Sequence, residues 1–127
     1  MSNNKYEYFE QALTKLEFFL KDFDQSEVQR AGIIQAFEFT FEQCWKYLQK
    51  MAQIEGVNVA SPKKAFQWAF SANLISTDQE QIWLSMIDER NQTTHTYRDA
   101  IAAKVLSNIQ SHYAGAFQKL LEKVKAQ

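Results

Sequence analysis

The sequence predicts an all-α, up-and-down bundle of four to five helices. Three observations carry that prediction. Apolar residues recur in steps of three and four along most of the chain, the spacing of a helix face. No stretch alternates apolar and polar residues as a half-buried strand would. Glycine occurs three times and proline once, which leaves little material for tight hairpins.

The first helix is expected from about Asn4 to Asp22. Tyr6, Phe9, Leu13, Leu16, Leu20 and Phe23 form its stripe, broadened by Phe18 and Phe19. Asp22-Phe23-Asp24-Gln25 reads as a turn. Ser26 is the N-cap of a long second helix that ends near Ile54, with Glu27 suited to the positive end of its dipole. Ile34, Phe37, Phe41, Cys44, Leu48 and Met51 mark its inner face. Ile33, Phe39 and Trp45 lie off that line, so this helix is expected to be contacted on more than one side, as a central helix or an oligomer interface. Gly56 fits just past its end. Ser61-Pro62 opens a short third helix to about Ala72, Ser as N-cap and Pro at the first helical position. Thr77-Asp78-Gln79-Glu80 reads as a capping box that opens a fourth helix through about Arg90, with Ile82, Trp83, Met86 and Ile87 inward. Gln92 to Thr96 lacks apolar residues and reads as a helix end and loop. A long fifth helix follows from about Arg98 to Lys123, with Ile101, Val105, Ile109, Ala116, Leu120 and Val124 as its stripe and Leu106, Tyr113 and Phe117 widening it.

The 127 residues fit one domain, 1–127, with no repeat and no internal linker. Aromatic content of 14% is heavy for this length and suits both a core and an association surface. A net charge of -1 argues against a strongly basic nucleic-acid binder, although a few cations in a cleft suffice for transient contact with RNA. Cys44 is the only cysteine, which excludes an intrachain disulfide and a Cys-based zinc site within one chain. With no signal-like segment and no long apolar run, the chain reads as soluble and cytoplasmic, with no membrane partner.

Chemistry concentrates in the octet from Arg90 to Tyr97. It holds a guanidinium suited to phosphate oxygens, an imidazole that titrates near neutrality and a phenol. Arg90 follows Ile87 by three residues and Met86 by four, so it extends the apolar face. Alternative roles for Arg90 are a helix-ending cation or a salt bridge to Asp99 or Glu89. Asn91 could end the helix, and Tyr97 could pack at the end of the bundle. His112, mid-helix with no basic partner nearby, reads as structural. No HExxH, Gly-rich phosphate loop or GxSxG is present. Asp22 with Asp24, and Asp88 with Glu89, read as solvated charges rather than metal ligands, because neighbouring helical carboxylates point apart and Asp22 and Asp24 flank a turn. No metal and no cofactor is expected. Cys44 lies on an apolar face and reads as inert core.

Arg90-Asn91 through His95 resembles the R-x4-6-H signature of the HEPN superfamily of small helical domains. The longer form completed by Tyr97 is similar to that of HepT-type toxins. The segment Phe37-Glu38-Phe39-Thr40-Phe41-Glu42-Gln43-Cys44-Trp45-Lys46 resembles that of the nucleotidyltransferase substrate-binding branch. The likeness spans the chain in helix count, motif position and length. It implies a homodimer whose motifs face a shared cleft, and a complex with a minimal nucleotidyltransferase in a toxin–antitoxin-like pair. In the HepT branch the helical protein is viewed as a metal-independent RNase toxin, and its partner transfers AMP from ATP to the motif tyrosine. Carried over, Arg90 and His95 are the expected catalytic pair. Arg90, Asn91 and Arg98 are the expected substrate-binding residues, and Tyr97 the modified one. The older branch name implies another role: a non-enzymatic subunit that binds substrate or nucleotide for the partner enzyme.

Overall fold

The computed structural model describes residues 4–96 and 98–126. Its helices are α1 (Asn4–Lys21), α2 (Glu27–Ile54), α3 (Pro62–Ser71), α4 (Glu80–Gln92), α5 (Asp99–Asn108) and α6 (Ala114–Lys125). A π-helical turn, Ile109–Tyr113, joins α5 to α6 without a break, so the expected fifth helix is one rod with a wide turn inside it. All regular structure among the described residues is helical, and the helices pack as an up-and-down bundle.

The helix ends follow the sequence chemistry closely. Ser26 caps α2 by accepting the Gln29 N–H, and the Gln29 side chain in return accepts the Asp24 N–H at 2.7 Å. Gly56 takes φ 81 past the end of α2, where the Gly56 and Val57 amides close onto Gln53 and Ala52. That is a Schellman ending, which uses the left-handed backbone that glycine adopts without strain. Asn73 does the same for α3 at φ 62, with Asn73 and Leu74 closing onto Phe70 and Ala69. The expected capping box at Thr77 does not form. Thr77–Gln79 is a 3-10 turn before α4, and the Ser76 hydroxyl ahead of it donates to the Asp78 carboxylate rather than accepting a backbone amide.

Aromatic rings lock the core. Phe37 stacks on Tyr113, Phe41 meets Phe66 edge-on, and Trp83 lies between Phe66 at 4.7 Å and Phe117 at 5.7 Å. These contacts tie α2, α3, α4 and α6 together and fix the angle of the helix that carries Arg90. Cys44 is fully buried, and that burial pushes its thiol well above the usual range, so it stays an unreactive part of the core. One expectation for an apolar face changes: Phe18 does not broaden the inner stripe of α1; it is 69% exposed. On α2, Phe39 points outward at 55% exposure.

Candidate functional site at the α4–α5 junction

Arg90 sits in the last turn of α4, half-buried, at the position its spacing from Met86 and Ile87 predicts. Its ion-pair partner is Glu38 on α2, with Nη1 to Oε2 at 3.7 Å, rather than Asp99 or Glu89. Nη1 also donates to the Thr93 hydroxyl at 3.3 Å. The buried Nε has no acceptor among the described residues. The Nε is enclosed, so an oxyanion would meet the exposed part of the Arg90 side chain, which is 31% accessible.

The α4 helix runs two residues further than expected, to Gln92, and then tightens rather than opening into a loop. The Thr93 hydroxyl donates to the Arg90 carbonyl at 2.8 Å, and the Thr96 hydroxyl to the Thr93 carbonyl at 2.9 Å. These local bonds satisfy carbonyls that a helix end leaves orphaned, and they set the 3-10 turn Thr93–His95. Asn91 is exposed on α4 and so does not end it. His95 closes the 3-10 turn with its side chain exposed. Arg98 is the N-cap of α5, and its amide donates to the His95 carbonyl at 3.1 Å. The junction carries Arg90 and Asn91 in the last turn of α4, His95 at the end of the 3-10 turn and Arg98 at the N-cap of α5. Tyr97 lies outside the described residues.

Two residues here escape a reading of the sequence alone. Glu38 follows the buried Ile34 by four residues and precedes the buried Phe41 by three, the same signal that marks Arg90. Glu89 reads from sequence as a solvated charge, and the structure corrects this. It is 3% exposed, and both its carboxylate oxygens accept from the Asn108 amide, at 2.8 and 2.9 Å. Asp88, its neighbour, is exposed. His112 is exposed in the π turn, near enough for its charge to act on Glu89. Among the described residues no group of three His, Cys, Asp or Glu side chains is placed to hold a metal ion.

Burial pushes the Glu89 carboxyl above its ordinary value, opposed by the Asn108 hydrogen bonds and the charge of Lys104. A raised folded pKa favours the protonated form. The stability it gives is present below the unfolded value and is lost as pH rises through the folded one. Glu89→Gln keeps an acceptor for Asn108 and removes the charge. We expect the variant to lose less stability than the wild type between about pH 4 and neutrality, measured by urea unfolding. Identical pH dependence in the two proteins would contradict this.

This chain belongs to the family described as nucleotidyltransferase substrate binding protein like, whose model matches residues 4–126. It is similar to a Thermus thermophilus protein of known crystal structure, with 34% identity, a TM-score of 0.81, and 91% of this chain and 97% of that chain covered. It also resembles the tri-AMPylated HEPN toxin of Shewanella oneidensis, solved in complex with MNT antitoxin. There the TM-score is 0.79 and the identity 17%, over 100% of both chains, a likeness that shows the fold alone. No curated protein matches the chain. No described helix is long and apolar enough to cross a membrane.

Proposed function

We propose that this chain is the HEPN-type partner of a minimal nucleotidyltransferase and acts as a metal-independent endoribonuclease restrained by AMP transfer to Tyr97. The observation that carries the reading is Arg90, held by Glu38 and Thr93 with its side chain 31% exposed, followed at once by the 3-10 turn that ends at His95. The modification state and the antitoxin complex of the Shewanella oneidensis protein support the partner and the switch.

Cleavage of RNA without a metal needs a base, an acid and positive charge on the pentacoordinate phosphorus. His95 of one protomer takes the 2′-hydroxyl proton as the 2′-oxygen attacks phosphorus. The imidazolium of the second protomer's His95 gives a proton to the departing 5′-oxygen. Arg90 holds the non-bridging oxygens, with Asn91 and Arg98 on the adjoining strand. The products are a 2′,3′-cyclic phosphate and a 5′-hydroxyl. AMP transfer joins the Tyr97 oxygen to the α-phosphorus of ATP and releases pyrophosphate. It places a phosphodiester in the same octet as Arg90, where it competes with RNA for the guanidinium.

A second reading, a non-enzymatic subunit that holds substrate or nucleotide, is favoured by the net charge of -1, which predicts weak, salt-sensitive RNA binding. Incubation with the cognate nucleotidyltransferase and ATP, followed by intact-protein mass, tests the proposal. The expected result is a gain of AMP mass that Tyr97→Phe abolishes. No gain, or an undiminished gain in Tyr97→Phe, would contradict it. The second reading instead expects nucleotide binding that weakens in Arg90→Ala while RNA stays intact.

A further inference from the structure

The buried face of α4 is Trp83, Met86 and Glu89, at steps of three. The third place on such a stripe calls for an apolar side chain. A carboxylate there gives up water, and burial opposes its charge. Both its oxygens are met by one neutral donor, the Asn108 amide nitrogen, at 2.8 and 2.9 Å. A leucine would fill the place at less cost. It would not fix the direction of the helix end, because apolar packing is non-directional and a hydrogen bond is not.

The surroundings of the pair point the same way. Asn108 is the last residue of α5, and the π turn Ile109–Tyr113 begins directly after it. π turns are rare and recur at functional sites. This one also encloses the Tyr113 hydroxyl without a partner among the described residues, a second polar cost in the same joint. On the other side, Arg90 follows Glu89 directly and is held to α2 by Glu38 at 3.7 Å. Consecutive residues therefore tie the last turn of α4 in two directions, Glu89 to α5 and Arg90 to α2. After them Asn91 is exposed and Gln92 only half-buried, so no apolar residue anchors this turn. Helix ends open readily where few buried contacts hold them. Without the Asn108 tie, Arg90 sits on an end held from one side.

We infer that Asn108 is a positioning residue for Arg90: through Glu89 it latches the last turn of α4 to α5 and so fixes where the guanidinium lies. Its value for RNA cleavage rests on the nuclease reading; the latch does not.

Hydrogen exchange at the Arg90 Nε–H, followed by NMR of the isotope-labelled chain, reads the latch without RNA. The chain has three arginines, and the Nε–H signal missing from Arg90→Lys is that of Arg90. This Nε is enclosed, so its proton exchanges when the helix end opens. Asn108→Leu keeps the bulk and removes the donor. It is expected to speed this exchange about tenfold or more, with helical circular dichroism retained. Unchanged exchange in Asn108→Leu overturns the inference. Asn108→Asp separates the hydrogen bond from the packing. Glu89 then faces a second carboxyl, with Asp88, Lys104 and His112 as the other charges acting on it. At about pH 5 the two carboxyls share a proton and the latch holds; at about pH 8 both ionise and it opens. The ratio of exchange in Asn108→Asp to that in the wild type at the same pH is therefore expected to rise about tenfold across this range. A ratio that stays constant overturns the inference, even where Asn108→Leu fails to fold. RNA cleavage by the wild type is read separately. Uncut RNA sinks the nuclease reading, while exchange at Arg90 still decides the latch.

Discussion

Replacing Arg90 by alanine is expected to lower RNA cleavage by about 10²–10³-fold, the usual cost of deleting one preorganised donor to a developing oxyanion. Stability should change far less. The pair with Glu38 is 31% and 35% exposed, and partly exposed pairs contribute only about 0.2–1 kcal/mol. Arg90→Lys should not restore the rate, because an ammonium cannot present two parallel donors to a phosphate. Its charge should preserve part of the affinity for RNA. Single-turnover rates beside urea melts of the three proteins check this. Full activity in Arg90→Ala, or a loss of rate that merely follows unfolding, would contradict the role assigned to this side chain.

The second large effect concerns the packing that aims α4. Trp83 is 1% exposed between Phe66 and Phe117, where α3, α4 and α6 meet. Trp83→Ala removes the largest ring from this joint and leaves a cavity that rigid helices fill only in part. A loss of about 3–5 kcal/mol is expected, seen as a lower urea midpoint by circular dichroism. Because Arg90 is two turns further along the same helix, cleavage should fall in the variant even where it remains folded. A loss below about 1 kcal/mol would mean that α4 is not anchored through this residue.

The helices are legible because each level of the sequence agrees with the next. Ser26, Gly56 and Ser61-Pro62 mark boundaries through backbone chemistry that acts over four or five residues, and the structure keeps all three. The 3-10 turn at Thr93–His95 reads as loop from sequence because it depends on hydroxyl-to-carbonyl bonds that leave no periodicity behind. The π turn leaves no mark either, since apolar residues continue through it. Arg90 is legible as inward-facing from one helix alone. Its partner Glu38 requires knowing which face of α2 lies against α4, which is a tertiary fact. Glu89 is misleading in the sequence for a similar reason. Its neighbour Asp88 is solvated, and only the packing of Asn108 against α4 separates the two.

Metal-free RNA cleavage by the octet Arg90 to Tyr97 is reached directly by one assay. The purified chain is incubated with an RNA oligonucleotide in excess chelator, and the product ends are identified by mass. The wild type is expected to leave 2′,3′-cyclic phosphate and 5′-hydroxyl ends, and cleavage is expected to be lost in His95→Ala, a change at an exposed side chain that leaves the core intact. Uncut RNA, or cleavage that His95→Ala retains, would contradict it.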